Sequence, residues 1–346
     1  MIRHAGWLLW AVAGIAAAQP RLINAKLETH ALQGPLDDTF RRMVAAQADA
    51  AWIGYAIPVV PGDRQMCCYY SSSDINYSYR GCSLEPRSPL PAAGDGTGGP
   101  VRLEAPKDFF VMFRVERNDV TKMRTFSADC ELDAGGTTIH WLTGVRPADS
   151  IKLLESYQPL QSGALAAIAL HADPAADAVL EKYLAAGQPE SIRRRTATQM
   201  GQLRGRRGFE VLRAMAQDEK NERVRESAVH GLAFSREPGA LDIVFAVAKS
   251  DPSARLRGEA LSWLAREAGR RATGVIQSAL ESDPELSVKK KAVFALSQLP
   301  RDEGVPLLIN VAKSNKEPEI RKQAVHWLGQ SRDPRALSFF EEVLGK

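Results

Sequence analysis

The sequence predicts an α+β domain followed by an all-α solenoid of stacked helix pairs. Similar residues recur every 32 positions from about residue 158 to the C-terminus, which is typical of repeat proteins. Strand-like runs separated by turn residues occur only before residue 146, and all four cysteines precede residue 131. We therefore expect a signal peptide at 1–18, a small disulfide-bearing α+β domain at 19–146 and a solenoid at 147–346.

The first residues have the composition of a secretory signal peptide. Arg3 provides a positive charge, residues 7–17 are small or apolar, and Ala16-Ala17-Ala18 fits the small-residue rule for cleavage before Gln19. The apolar run is too short to span a bilayer, and no cysteine follows the cleavage position. These features predict a protein exported to the periplasm or cell exterior, with no stable membrane anchor after cleavage.

Local patterns predict the elements of the α+β domain. Apolar spacing predicts a helix capped by Asp37 or Asp38, while Asn118-Asp119 provides turn chemistry for a hairpin. Residues 89–100 are rich in Gly and Pro and predict a flexible loop. The expected strands are Trp52–Val60, Phe109–Val115, Val120–Ser127 and a short run at Thr138–Leu142.

The four cysteines, Cys67, Cys68, Cys82 and Cys130, predict two disulfides, because an even count within one segment of an exported chain is typical of such bridges. No histidine lies at zinc-finger spacing from them, which disfavours a metal site. A bridge between Cys67 and Cys68 would be strained. One of these two should therefore pair with Cys82 and the other with Cys130, and the sequence leaves open which takes which partner.

The second half contains six units of 32 residues, each predicted to form two helices. On the first helix of each unit, apolar or small residues spaced four apart form one face, which single helix pairs cannot bury alone. Its first row is Leu160, Ile192, Val224, Leu256, Val288 and Ile320; its middle row is Ala164, Thr196, Ala228, Ala260, Ala292 and Ala324; its third row is Ile168, Met200, Leu232, Leu264, Leu296 and Leu328. The second helix carries Leu180, Leu212, Val244, Ile276, Leu308 and Phe340.

Residues 158–346 resemble HEAT repeats, in particular the short bacterial HEAT-like repeats first named from phycobilisome lyases. The pattern is clearest at Asp251-Pro252, Leu256-Arg257, Ala260 and Leu264. The resemblance implies a right-handed α-α superhelix, protein binding on its concave side, and a ladder of acidic and basic residues between units. The matching pairs are Glu219 and Arg225, Asp251 and Arg257, Asp283 and Lys289, and Asn315 and Arg321, in which Asn315 lacks the charge.

Two columns on the first helices form the candidate partner surface. Arg194, Lys290 and Lys322 occupy one column and would form a basic stripe, although Glu226 lies in the same column. The alternative is that these residues belong to a solvated charged face. The second column contains His230, Phe294 and His326.

The sequence contains no hydrolase, Walker or dinucleotide motif, and we expect no catalytic residue, cofactor or metal site. The net charge of +4 is too small to indicate nucleic-acid binding. We therefore predict an exported, non-enzymatic scaffold or adaptor that binds a protein on the concave surface of its solenoid. The alternative is an enzyme, lyase-like or hydrolytic, with its site in the N-terminal domain and the solenoid as a substrate cradle.

Overall fold

A computed structural model describes residues 18–62, 82–85, 107–157 and 161–345. The predicted signal peptide, except Ala18, and the Gly/Pro-rich loop at 89–100 lie outside the described residues, as do Cys67 and Cys68. The chain forms two compact units, Met1–Ala176 and Asp177–Lys346. The predicted fold class is confirmed: the N-terminal part combines sheets with helices, and residues 147–344 form a series of helices consistent with a HEAT-like solenoid.

The first unit contains a five-stranded mixed sheet in the order β2-β8-β3-β5-β6. Strand β8 pairs in parallel with both β2 and β3, whereas β3-β5 and β5-β6 are antiparallel. The strands are β2 (Lys26–Ala31), β3 (Ala51–Pro58), β5 (Asp108–Glu116), β6 (Asp119–Ser127) and β8 (Thr138–Thr143).

Three of the predicted strands, β8, β3 and β5, lie in the middle of this sheet, and the fourth, β6, lies at its edge. Seven consecutive residues of β3 are buried, as a strand covered on both faces requires. The predicted hairpin joins β5 to β6, but its turn centres on Arg117 and Asn118, one residue earlier than expected. Both residues have positive φ, 56° and 60°, which suits the twist of a tight hairpin.

A second sheet of three short strands covers one face of the large sheet. It has the order β1-β7-β4 with parallel pairing throughout. Leu84 and Leu132 from this sheet join Trp52 and Trp141 in one buried core cluster. The strands are β1 (Arg21–Ile23), β4 (Cys82–Ser83) and β7 (Glu131–Asp133).

The described residues of the first unit also form three complete helices: α1 (Leu36–Ala46), α2 (Pro147–Ser156) and α3 (Gln161–Leu170). Helix α1 buries Phe40 and Val44, as its spacing predicts, whereas its N-cap residue is Pro35 rather than an aspartate. The sequence places the domain boundary at residue 146, but the compact units divide after Ala176. Helices α2 and α3 remain in the first unit because they bond to the large sheet, for example through Val60 N–H and the carbonyl of Leu170.

The second unit begins within α4 and continues as five antiparallel helix pairs. Consecutive first helices contact each other along the series, as do the two helices within each pair. A single 3-10 turn, Gly269–Ala272, precedes α10. The helices are α4 (Ala175–Leu184), α5 (Glu190–Leu203), α6 (Gly205–Asp218), α7 (Glu222–Ala233), α8 (Ala240–Ser250), α9 (Ala254–Glu267), α10 (Thr273–Ser282), α11 (Leu286–Gln298), α12 (Arg301–Ser314), α13 (Pro318–Gln330) and α14 (Pro334–Leu344).

The repeated rows form the core of the second unit. From Ile192 to Leu328, every member of the three rows on the first helices is buried. The second-helix row is buried from Leu180 to Leu308, and Phe340 in the last unit is half-buried. Helices α5 and α7 approach closely at Gly201, where an added Cβ would lie 2.1 Å from the carbonyl oxygen of Gly231. Small side chains therefore set the helix spacing, as the middle row predicts.

Candidate functional site

The ladder of charged residues links each repeat to the one that follows. Arg257 donates to both carboxylate oxygens of Asp283, from Nε at 2.8 Å and from Nη2 at 2.9 Å. Arg225 makes the equivalent contacts with Asp251, at 2.5 and 3.0 Å. The same connection joins Arg193 to Glu219 and Lys289 to Glu317. Each cation thus reaches an acidic residue in the next repeat.

For Arg257 and Arg321, the residue six positions earlier provides a backbone contact in the same ladder. Arg257 Nη1 donates to the carbonyl oxygen of Asp251 at 2.8 Å, and Arg321 Nη1 donates to that of Asn315 at the same distance. The uncharged side chain of Asn315 explains why Lys289 turns to Glu317. The ladder therefore ties the loop of each unit to its own first helix and to the previous one.

The ladder pair Arg257 and Asp283 is charged and largely buried. The hydrogen bond from Arg257 lowers the pKa of Asp283, against the opposing effect of burial. The hydrogen bond to Asp283 in turn raises the pKa of Arg257. Only 10 % and 7 % of these two side chains are exposed. Because the charges satisfy each other, the ladder stabilises the stack and offers little free charge to a partner.

The predicted basic column lies on one line of first-helix positions but is partly neutralised. Lys290 and Lys322 both contact Glu319, with N–O distances of 3.4 and 3.6 Å. Arg194 donates to Ser227 Oγ at 3.3 Å and lines a shallow polar pocket with it. Glu226, in the same column, pairs with Arg255 at 2.7 Å. The column is therefore a mixed charged surface rather than a purely basic stripe.

The second predicted column lies within two aromatic clusters. His230 packs against Phe234 and Trp263, with ring centroids 4.8 and 5.1 Å away. Burial lowers the pKa of His230, and the nearby charge of Arg266 lowers it further. A second cluster of Phe294, His326 and Trp327 lies two repeats further on, with centroid distances of 5.0 and 5.1 Å to the indole. Trp263 and Trp327 share one repeat column, for which the sequence predicts packing between units, or a binding anchor if the pair is exposed.

Trp327 lines a cleft between α11, α12 and α13. Leu296, Leu299 and Leu308 form apolar walls of this cleft, and Gln330 and Ser331 contribute polar atoms. Trp327 Nε1 is buried and has no hydrogen-bond partner among the described residues. A buried donor without a partner is costly, so an acceptor that reached this N–H would remove that cost. The cleft thus combines an apolar pocket with one unused donor.

The first unit contains a buried Ser–His contact that the sequence did not reveal. Ser150 Oγ lies 2.9 Å from His171 Nε2 and 2.9 Å from Tyr55 Oη. Nδ1 of His171 lies 2.7 Å from the carbonyl oxygen of Ala167, so this nitrogen carries the ring proton and Nε2 accepts from serine. All three side chains are fully buried, which keeps substrate from the serine. The network therefore fastens α2 and α3 to β3.

A separate group of potential metal ligands lies at one edge of the large sheet. The ligand atoms of Glu28, His30 and His140 all lie within 4.8 Å of one another. His140 Nδ1 is 3.2 Å from His30 Nε2 and 3.3 Å from Glu28 Oε2, and its Nε2 is 3.2 Å from Gln47 Oε1. Burial lowers the pKa of His140, whereas the Glu28 carboxylate partly offsets this. The geometry resembles a three-ligand site for a divalent metal.

Of the predicted disulfide cysteines, Cys130 is buried in the core cluster and is not a free thiol. The side chain of Cys82 lies outside the described residues, so the pairing stays a prediction. Strand β4 places the backbone of Cys82 opposite Leu132, two residues beyond Cys130. None of the described helices combines the length and apolar character needed to cross a membrane.

Comparison with known proteins confirms the repeat family. Residues 176–265 and 275–346 match the model of HEAT repeats, and the gap between them contains the 3-10 turn before α10. No curated protein sequence matches the chain. The C-terminal part of the chain is therefore a HEAT-repeat array, in agreement with the resemblance seen in the sequence.

Several solved structures are similar to this chain. The CpcE and CpcF complex of phycocyanin lyase from Nostoc sp. PCC7120 is 23% identical with a TM-score of 0.35, covering 45% of this chain and 99% of that one. Human deoxyhypusine hydroxylase is 17% identical with a TM-score of 0.25, covering 57% and 77%. Yeast importin-β is 16% identical with a TM-score of 0.32, covering 55% and 32%. Because the sequence identities and TM-scores are this low, these structures assign no function to this chain.

Proposed function

We propose that this HEAT-repeat protein is an exported scaffold that binds a protein partner on the first helices of its solenoid. The observation that carries the proposal is the cleft at Trp327, where a buried indole N–H has no acceptor among the described residues. Tryptophan in an apolar pocket is the type of residue that dominates binding energy at protein interfaces. The partner is expected to insert an apolar side chain and to place a carbonyl oxygen against Nε1.

The charged column contributes less to this proposed interface. Lys290 and Lys322 share Glu319 as a counter-ion, so a partner carboxylate would compete with an existing contact. Exposed ion pairs of this kind contribute about 0–1 kcal/mol. We assign Arg194, Lys290 and Lys322 to orientation of the partner and the aromatic clusters around His230, Phe294 and His326 to its affinity.

Export is supported by the signal-peptide pattern of residues 1–18 and by the predicted disulfides. Cleavage before Gln19 would leave β1 intact, because that strand begins at Arg21. The disulfide pairing proposed for the mature protein joins one of Cys67 and Cys68 to Cys82 and the other to Cys130. Peptide mapping without reducing agent, on protein recovered from the periplasm or medium, tests both ideas; four free thiols would contradict them.

The binding proposal is tested by affinity capture from envelope extract with the wild type and with Trp327→Phe. This substitution keeps an aromatic ring but removes the unsatisfied donor, so the fold should be unaffected or slightly stabilised. Loss of the hydrogen bond to the partner should weaken capture by about 0.5–1.5 kcal/mol, a few-fold to about tenfold. A second variant reverses the charges of Arg194, Lys290 and Lys322 and should reduce capture less.

A matched control reverses the charges of three exposed lysines outside both columns, Lys220, Lys249 and Lys316. It therefore changes the net charge by the same amount as the charge reversal in the basic column. Capture by this control should equal that of the wild type. If Trp327→Phe and the control retain the same partner equally, the cleft is not the binding site.

The enzyme alternative rests on the first unit. Among the described residues, the group of Glu28, His30 and His140 favours it, since catalytic metal sites often use three protein ligands. The buried Ser150–His171 pair does not favour it, because neither side chain is accessible.

A further inference from the structure

The parallel pairing of β2 with β8 brings three ligand-bearing residues onto one face of the large sheet. Glu28 and His140 are directly opposite in the register. His30 lies two residues after Glu28, so its side chain emerges on the same face of the strand. Residues separated by more than a hundred positions in sequence thus converge through strand pairing alone.

The separations of the ligand atoms suit a tetrahedral zinc ion. Two ligand atoms about 2.0–2.1 Å from such an ion lie about 3.3–3.4 Å apart. His140 Nδ1 lies 3.2 Å from His30 Nε2 and 3.3 Å from Glu28 Oε2. The third separation, between His30 and Glu28, stays within 4.8 Å. Small side-chain rotations would make all three distances equal.

Gln47 fixes the protonation of His140 in the form that a metal requires. The amide nitrogen of Gln47 donates to the carbonyl of Asp49 at 3.0 Å, so its Oε1 faces His140 Nε2. Because an amide oxygen only accepts, Nε2 of the neutral ring carries the proton and Nδ1 presents a lone pair. Outer contacts of this kind orient the histidine ligands of metal sites.

The same tautomer leaves two acceptors facing each other. The lone pair of His140 Nδ1 and the carboxylate oxygen Oε2 of Glu28 are 3.3 Å apart with no proton of the neutral ring between them. Lys26 pairs with the other carboxylate oxygen, Oε1, at 2.6 Å and therefore does not separate the two acceptors. A cation bound between Glu28 Oε2, His140 Nδ1 and His30 Nε2 would accept the lone pairs of these atoms and remove the repulsion between them.

We propose that Glu28, His30 and His140 form a zinc-binding site, with Gln47 as its positioning residue and water in the fourth position. Two imidazoles and one carboxylate suit Zn²⁺ better than Ca²⁺ or Mg²⁺, which prefer oxygen ligands throughout. Zinc requires a lone pair at His30 Nε2, so in the metal-bound form the ring proton of His30 would lie on Nδ1. This site departs from the expectation, based on the sequence, that the chain has no metal ligands.

Isothermal titration of the chelator-treated full-length chain with ZnCl₂ tests the proposal. The wild type should bind one Zn²⁺ that is lost in the double variant Glu28→Gln/His30→Gln. Gln47→Ala should weaken binding by about 10–100-fold, as outer-contact substitutions do. His326→Gln, which removes a histidine outside the group, should bind like the wild type.

A second readout separates lost ligands from lost folding. Zn²⁺ should raise the melting temperature of the wild type and of His326→Gln, but not that of the double variant, whose metal-free melting temperature and far-UV spectrum should match the wild type. Co²⁺ should give the visible spectrum of a tetrahedral site in the wild type only. Equal Zn²⁺ affinity in the double variant, or no stoichiometric Zn²⁺ binding by the wild type, would overturn the proposal.

Discussion

Replacing Arg257 with Met should destabilise the solenoid more than any exposed charge substitution. The change removes both hydrogen bonds to Asp283 and the bond to the carbonyl of Asp251, while the apolar stem still fills its space. Since the side chains of the pair are only 10 % and 7 % exposed, Asp283 would stay largely buried without its partner. Removal of one member of a buried pair costs about 3–5 kcal/mol, and we expect a value near the lower limit.

The chain provides a matched control for this substitution. Arg207 also makes two hydrogen bonds to a carboxylate, Glu181, at 2.6 and 2.8 Å and at the same sequence separation. Its side chain is 51% exposed, and that of Glu181 is 33% exposed. Arg207→Met should therefore cost at most about 1 kcal/mol. Urea unfolding of the full-length chain, followed by far-UV circular dichroism, compares the two variants.

The effect of Arg257 should also depend on pH. In the folded state, its hydrogen bond holds the pKa of Asp283 below the ordinary value. A carboxyl group with a lowered folded pKa stabilises the protein above its unfolded pKa, about 3.9, and this contribution is lost as the pH falls through the folded value. The stability difference between wild type and Arg257→Met should shrink below about pH 4. Equal costs for the Arg257 and Arg207 variants, or a difference independent of pH, would refute the structural role of the ladder.

Three further predictions concern other residues. Gly201→Ala should lower the free energy of unfolding by about 1–3 kcal/mol, because the added Cβ would overlap the backbone of Gly231. Gly329 occupies the same repeat column but has open space at its Cβ position, so Gly329→Ala should not destabilise the protein in urea unfolding. Burial lowers the pKa of His230 in the folded state, so as the pH falls the unfolded state binds a proton at a higher pH than the folded state does. The free energy of unfolding should therefore decrease below about pH 6.5, and this decrease should be smaller in His230→Gln. N-terminal sequencing of the exported protein should begin at Gln19, and an uncleaved N-terminus would contradict the predicted signal peptide.

The solenoid could be predicted from sequence because the spacing of apolar residues within each unit identifies its core, and this spacing repeats from unit to unit. A residue in a given row contacts equivalent residues of the adjacent helices in every unit. Leu256 and Val288, in the same row, are therefore both buried. For the ladder, the sequence predicts that Arg257 contacts Asp251 or its equivalent in a neighbouring unit, without choosing between the two. Stacking places the side chain of Asp283 nearer and leaves Asp251 to contribute its carbonyl.

The first unit shows what one sequence leaves undetermined. Strand β2 reads Lys-Leu-Glu-Thr-His-Ala, a polar edge strand without an apolar alternation strong enough to mark it. Its pairing with β8 depends on the order of strands in the sheet, which spacing does not encode. The group of Glu28, His30 and His140 was missed for that reason. Helices α2 and α3 have the apolar spacing of repeat helices, and because a helix that packs on a sheet has the same spacing, the sequence does not distinguish the two environments.

For the proposed binding function, the distribution of satisfied charges favours recognition of the partner mainly by apolar contact. Four of the ladder cations reach carboxylates within the array, namely Arg193, Arg225, Arg257 and Lys289, and Lys290 and Lys322 share Glu319. By contrast, Trp327 Nε1 is buried without an acceptor among the described residues. Exposed charge pairs weaken with salt, whereas apolar burial does not. Capture of the partner should therefore change little between low and high salt in the wild type, and a steep salt dependence would assign recognition to the charged column instead.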